Sequence, residues 1–452
     1  MAALFSIVFL TLLALTTGMR VWLALRQLRH VAAHRATVPA EFAERIDLAD
    51  HQKAADYSRA KIRLGIIELT VDALLLLLFT FGGLLTAFDQ FWRDIFAGAG
   101  YTHGLALFAS VSVAGFCVSL PFSLYRTFSL EAHFGFNKMT PGLYVADLLK
   151  QLLLTVLIGV PLLLAVLWLM GAMGERWWLY VWAAWLGFNL LVLLLYPTFI
   201  APLFNKFTPL AEGEMKTRIE ALLARCGFAS SGEEDSPGRP KSLPAPPGGR
   251  AERSEGFGGG IYVMDGSKRS AHGNAYFTGF GRAKRIVFFD TLLDKLAPGE
   301  VEAVLAHELG HYKHRHVWKR IAVMAALSLA LLWLLGQVID QSWFYEGLKV
   351  GTGGTAQNSA MSTAMALILF SLVLPVFTFP FTPLMSWLSR RHEFEADAYA
   401  ARQANGNELI AALVKLYRDN AATLTPDPLF SLFYDSHPPA SQRIAHLRTV
   451  SL

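Results

Sequence analysis

Cysteine is almost missing from this chain, with two residues in 452. Cys117 lies in an apolar run and Cys226 in a polar one, so a disulfide-built fold is excluded and nothing marks either thiol as reactive. Charge is scarce too. Asp, Glu, Lys and Arg make up 17% of the residues, where an average soluble domain carries about 25%. With 54% hydrophobic residues and a mean hydropathy of +0.38, the deficit points to a membrane protein. No basic residue precedes the first apolar run, Leu4 to Leu25, whereas Arg26 and Arg29 follow it. A cleavable signal peptide has the opposite polarity, so the run is expected to remain as a transmembrane helix with its N-terminus outside. The formal charge of +5 and pI of about 9.1 fit the basic loops of a multi-pass chain, and no nucleic-acid partner is implied.

Long apolar runs are what the chain has in quantity. After Leu4–Leu25 they fall at Leu64–Ala87, Leu105–Leu124, Leu148–Met170, Trp177–Tyr196, Ile321–Val338 and Ala360–Phe381. Each is close to the roughly 20 residues that a bilayer core requires. Lys and Arg alternate between the loops. The loop after the first span is crowded with them from Arg26 to Arg63, the next holds only Arg93, and the third has Arg126, Lys138 and Lys150. The fourth has only Arg176, and the loop after the sixth span only Lys349. That alternation places the C-terminus and the long 197–320 segment on the cytoplasmic side. Four regions follow: spans 1–5 in 1–196, a cytoplasmic segment in 197–320, spans 6 and 7 in 321–383, and a cytoplasmic C-terminal part in 384–452. Glu68 and Asp72, one turn apart within the second span, must pair, sit near the interface or meet water. Pro197, Pro202, Pro375, Pro380 and Pro383 announce bent or terminated helices at the inner edge.

Within 197–320 the composition breaks from Ser230 to Gly260, where Pro, Gly, Ser and charge dominate. This reads as a flexible surface insertion. IYVMDG, NAYFTGF and RIVFFD beyond it predict a small sheet. A helix is then predicted over LAPGEVEAVLAHELGHYKHRHVWKR, with Pro298 at its start and Glu300 and Glu302 in its first turn. It is expected to run almost continuously into the sixth span.

That helix carries HELGH. His307 and His311, four residues apart, share a helix face and can each give a nitrogen to one metal ion. Glu308 lies beside that position, placed to deprotonate a water, as in the H-E-x-x-H pattern of zinc hydrolases. The third ligand is expected where the seventh span returns, in SRRHEFEADAYA. Glu393 lies at the depth of His311, and Asp397, four residues on, is expected to orient a ligand histidine; Glu395 points elsewhere. His272, His314 and His316 are at spacings that do not favour one metal sphere and are read as polar or interfacial.

These residues, with LEAHFGFNKMT (130–140), YPTFIAPLFNKFTPL (196–210), GSKRSAHGNAYFTGF (266–280), RIVFFDTLL (285–293) and SHPPASQRI (436–444), resemble the integral-membrane zinc metalloproteases of the CAAX prenyl protease 1 family. The resemblance covers nearly the whole chain, apart from 230–260 and parts of the first 60 residues. It implies a mainly helical membrane protein whose seven helices enclose an aqueous chamber capped by a zincin-like domain. It implies one zinc ion on His307, His311 and Glu393, with Glu308 as general base and His437 and Arg443 completing the active site. It also makes Asn274, Ala275, Tyr276 and Phe277 an edge strand for an extended substrate, which backbone hydrogen bonds can hold irrespective of sequence. The expected substrate is a peptide or protein, lipidated or membrane-associated. The Ala, Arg and Gly bias suggests a bacterial origin and hence the inner membrane, or the endoplasmic reticulum if the source is eukaryotic. Two alternatives remain: a membrane quality-control protease without prenyl specificity, and a channel or scaffold with a structural zinc, in which Glu308 would have no task.

Overall fold

The apolar runs dictate most of the architecture. The computed structural model describes residues 1–96, 100–230, 255–257, 260–278, 284–351 and 359–450. Among the described residues, six helices are long and apolar enough to cross a bilayer: Ala2–Ala33, Tyr101–Glu131, Pro141–Ala172, Gly174–Phe204, His316–Val338 and Thr363–Gln403. The pair Leu48–Phe79 and Leu84–Ile95, bent by 49°, makes a seventh, second in chain order, when counted as one broken span. All seven expected spans fall on these helices, but the second straddles a break. Gly83 at the break has φ +75, a left-handed conformation that glycine adopts without strain. Proline marks other irregularities as expected. Pro197 lies in a π turn, Tyr196–Ile200, and Pro375 is inside the helix Ser359–Thr378. Pro380 lies in the short 3-10 turn Phe379–Phe381.

The spans pack at both ends, and at the end near HELGH Tyr57 and Leu64 of span 2 meet Leu130 of span 3. Buried apolar residues of the bundle include Phe9 and Leu13 near the start of span 1, Phe79 at the end of the first half of span 2, Leu107 in span 3, Met170 in span 4 and Leu335 in span 6. All lie at the end remote from HELGH. Only 6%, 11% and 6% of the apolar windows of spans 3, 4 and 5 is buried, as suits helices whose outer faces meet lipid. A cavity of about 1090 Å³ opens between spans 3 and 4. Its walls carry two polar stripes at helical spacing, Ser119, Ser123, Thr127 and Glu131 facing Tyr144, Asp147, Gln151 and Thr155. Glu68 of span 2 is paired with Arg126 of span 3 at 2.6 Å, and Asp72 is exposed.

The sheet has one strand more than the sequence suggested. Strands β1 (Phe207–Pro209), β2 (Phe228–Ser230), β3 (Glu255–Phe257), β4 (Ile261–Met264), β5 (Ala275–Thr278) and β6 (Arg285–Phe289) form two sheets. The larger is mixed, in the order β1-β4-β6-β5, and β2 pairs with β3 in parallel. Three-residue β1 is too short to show a periodicity, and it is held by antiparallel pairing to β4. The 230–260 stretch lies largely outside the described residues, although β3 within it is a strand.

Helix α1 (Glu214–Arg225), α2 (Pro298–Lys313), α3 (Thr382–Gln403), α4 (Gly406–Asp419) and α5 (Ala440–Val450) complete this end of the molecule. Their core includes Val301, Leu305 and Leu309 of α2, Leu222 of α1, Leu413 of α4 and Leu447 of α5, with Ile286 and Phe288 of β6. Pro298 opens α2, and the Glu300 carboxylate accepts a hydrogen bond from the Ala297 N–H at 2.7 Å, satisfying one of the orphan donors at the helix start. The helix does not run on unbroken. Arg315, at φ 55, is left-handed and turns the chain before span 6 restarts at His316. The loop leading into β5 is clamped from the membrane side. Arg269 makes two hydrogen bonds to Asp147 of span 4, at 2.8 and 3.1 Å, and Ser270 is bridged to Asn137 after span 3.

Candidate active site

Two helices meet at HELGH because one residue has no side chain. A Cβ on Gly310 would stand 2.9 Å from Ala396 Cα and 3.0 Å from Ala396 O. Glycine there lets the backbones of α2 and α3 touch, and α3 thereby delivers its carboxylates to the histidines of α2.

His307, His311 and Glu393 converge, their ligand atoms all within 4.8 Å of one another. His307 Nε2 is 3.4 Å from Glu393 Oε2, His311 Nε2 is 3.3 Å from Glu393 Oε1, and the two Nε2 atoms are 3.2 Å apart. Behind His307, its Nδ1 is 2.9 Å from Asp397 Oδ1. Asp397 is wholly buried and accepts two hydrogen bonds from Arg443, from Nε at 2.8 Å and from Nη2 at 2.5 Å. A neutral His307 that donates from Nδ1 to Asp397 keeps its lone pair at Nε2. The inner face of the site is therefore a set of lone pairs, and Glu393 Oε2 is buried with no hydrogen-bond partner among the described residues. Two imidazoles and a carboxylate are a donor set that suits zinc, and the field agrees. Burial opposes charge on His307, yet Asp397 and Glu393 outweigh it and raise its pKa to about 9.

The expected Glu308 is half-buried on α2. Its carboxyl is held above the ordinary range, desolvation being the largest cause, against the opposing pull of His307 and His311. His437 stands at the open side of the cluster with 61% of its side chain exposed; its Nε2 is 3.5 Å from Glu393 Oε1 and its Nδ1 is 3.0 Å from Ser436 Oγ. Arg443, expected to help complete the active site, lies against its carboxylates. It is buried behind the ligands, engaged with Asp397 and 3.8 Å from Glu393 Oε2. Ala275, Tyr276 and Phe277 lie on β5, at the edge of the sheet and packed against α2, with Asn274 just before it.

Sequence reasoning missed one contact set. His316, read above as polar or interfacial, is buried, with Nδ1 2.9 Å from His311 Nδ1 and Nε2 2.9 Å from Glu395 Oε2. On an unbroken helix, residues five apart point about 140° away from each other. The left-handed Arg315 brings His316 back to His311, and nothing local announces that turn.

Comparison with known proteins finds relatives along most of the chain. A family model described as CAAX prenyl protease N-terminal, five membrane helices, matches residues 27–206, and the model for peptidase family M48 matches 250–451. The CAAX prenyl protease 1 homolog of Dictyostelium discoideum is 31% identical over 415 residues, 90% of this chain and 88% of the relative. CAAX prenyl protease 1 of Saccharomyces cerevisiae is 34% identical over 355 residues, 77% of this chain and 72% of the relative. The crystal structure of S. mikatae Ste24p superposes with a TM-score of 0.84 at 29% identity, covering 98% of both chains.

Proposed function

Since the chain belongs to the CAAX prenyl protease 1 family of M48 peptidases and is a multi-pass membrane metalloprotease, we propose that it is a zinc endopeptidase acting at the cytoplasmic face of its membrane on peptide substrates. The observation that carries this reading is the convergence of two imidazoles and a buried, unpartnered carboxylate oxygen next to Glu308. In the proposal His307, His311 and Glu393 hold one zinc ion. When bound, zinc supplies Lewis acidity to the scissile carbonyl and to water. Glu308 takes the water proton and passes it to the leaving amine, a task for which a carboxyl held above its usual range is suited. His437, at the open side, donates a hydrogen bond to the oxygen on which negative charge develops. Asp397 fixes the His307 tautomer, and Arg443 acts through Asp397. The edge strand β5 receives the substrate as an added strand.

The relatives are named for prenylated CAAX substrates, and cleavage of such peptides is the first activity to test. The polar stripes of the 1090 Å³ cavity favour a second reading, in which unmodified membrane or misfolded proteins are cut. A panel of farnesylated and unmodified peptides separates the two, because equal cleavage argues against lipid recognition. The cytoplasmic orientation rests on the alternation of Lys and Arg between loops. For the chemistry, Glu308→Gln is expected to lower kcat by a factor on the order of 100 to 10,000 while the purified protein keeps its zinc. A mutant with full zinc and wild-type cleavage removes Glu308 from the role of base.

A further inference from the structure

The two histidines of HELGH are braced in different ways. His307 meets a carboxylate directly, Asp397, which is held in turn by Arg443. His311 meets a second imidazole, His316, and the carboxylate comes one residue later, at Glu395. The His316 side chain is 1% exposed. His392 stacks on it at 4.0 Å between centroids and 12° between planes, so the ring cannot swing freely. Glu395 is itself tethered by Arg391 at 3.2 Å and Lys319 at 3.6 Å.

The chain of contacts admits one arrangement of protons. If His311 offers Nε2 toward Glu393 and the metal, its proton is on Nδ1. That N–H donates to Nδ1 of His316, which must accept, so the proton of His316 is on Nε2. From there it donates to Glu395 Oε2. Both rings are neutral, and each of these ring nitrogens has a partner. We propose that His316 and Glu395 form a positioning pair that sets the tautomer and ring orientation of His311 for zinc. This rests on the reading of His307, His311 and Glu393 as the zinc ligands. His316 opens span 6, whereas Glu395 is on α3, the continuation of span 7. The pair therefore ties the orientation of one ligand to the relative placement of two membrane helices.

The test is zinc affinity and zinc release to a competing chelator, measured on purified full-length protein in detergent. His316→Phe keeps the ring volume and the stack on His392 but removes acceptor and donor. It is expected to weaken zinc binding about 10- to 100-fold and to speed release. His316→Gln, whose amide can accept from His311 and donate to Glu395, is expected to recover most of that loss. Glu395→Ala is expected to weaken zinc less than His316→Phe, and to add nothing in the His316→Phe background, since the two act in series. Wild-type affinity in His316→Phe overturns the proposal, as do additive effects of the two substitutions or a failure of His316→Gln to recover. Melting of the zinc-free proteins checks folding, and should His316→Phe not fold, Glu395→Ala against Glu395→Gln carries the same question. Asp397→Asn is the control: if it too leaves zinc affinity untouched, the ligand assignment fails and not the pair alone.

Discussion

At the scale of the residue, the site divides into groups in front of the metal position and groups behind it. His437 is in front, exposed and within reach of anything bound at Glu393. His437→Ala is expected to lower kcat by about 100- to 1,000-fold and to leave the zinc content of the purified protein unchanged. Asp397 is behind, buried against His307 and Arg443. Asp397→Asn keeps the shape but weakens the hold on the Nδ1 proton, so zinc affinity is expected to fall about 10- to 100-fold, as read by chelator competition. The opposite pattern, zinc lost with His437→Ala and retained with Asp397→Asn, would reverse the two assignments. Glu308, Glu393 and Asp397 were legible in the sequence because each stands at a helical spacing from a neighbour in HELGH or HEFEAD. The role of Arg443 was not. Its contact with Asp397 joins residues 46 apart in sequence, and no periodicity connects α5 to α3.

At the scale of the element, the decisive contact is α2 on α3. Gly310 is the second variable position of HELGH by pattern, yet here it is fixed by the approach of the Ala396 backbone. Gly310→Ala must push the helices apart, since the atoms it meets are backbone and cannot rotate away. A loss of about 1–3 kcal/mol is expected, seen as a lower thermal midpoint together with weaker zinc binding. Wild-type zinc affinity in this variant would show that the ligands do not depend on the helix contact. The sheet tells a similar story of partial legibility. β4, β5 and β6 were visible as short β-branched and aromatic runs, and the edge position of β5 was expected. β1 was not visible, because three residues of FTP carry no pattern; pairing with β4 makes them a strand. The break at Arg315 was also hidden, since a non-glycine residue at positive φ leaves no mark in the sequence.

At the scale of the molecule, the membrane bundle and the catalytic end are locked together by polar contacts. The clamp of Arg269 on Asp147 ties the loop before β5 to span 4, and Arg26 of span 1 pairs with the buried Asp427 at 2.8 Å. A metal shared by α2 and α3 adds a further tie between the regions before span 6 and after span 7. Removing zinc with a chelator is therefore expected to abolish peptide hydrolysis and lower the melting temperature. Ligand linkage of about 4 kcal/mol corresponds to a free ligand at roughly a thousand times its Kd, so the shift should be readily measured, and added zinc should restore both properties. A chelated protein that melts and cleaves as before would sink the metalloprotease site as drawn.

What the sequence by itself determined is what repeats or is local. Apolar runs of bilayer length marked the membrane helices, the i, i+4 histidines gave one face of a site, and the depth of the returning span pointed to Glu393. Tertiary structure decided what depends on distant backbones meeting. It set the break in the second crossing, the polar-walled cavity between spans 3 and 4, and the fourth strand. It also placed Arg443 behind Asp397, and His316 and Glu395 behind His311. The physical reason is the same in each case. Hydrophobic length and helical spacing act within one segment, whereas a buried hydrogen bond requires two segments brought within about 3 Å of each other, and only the packed chain specifies which two.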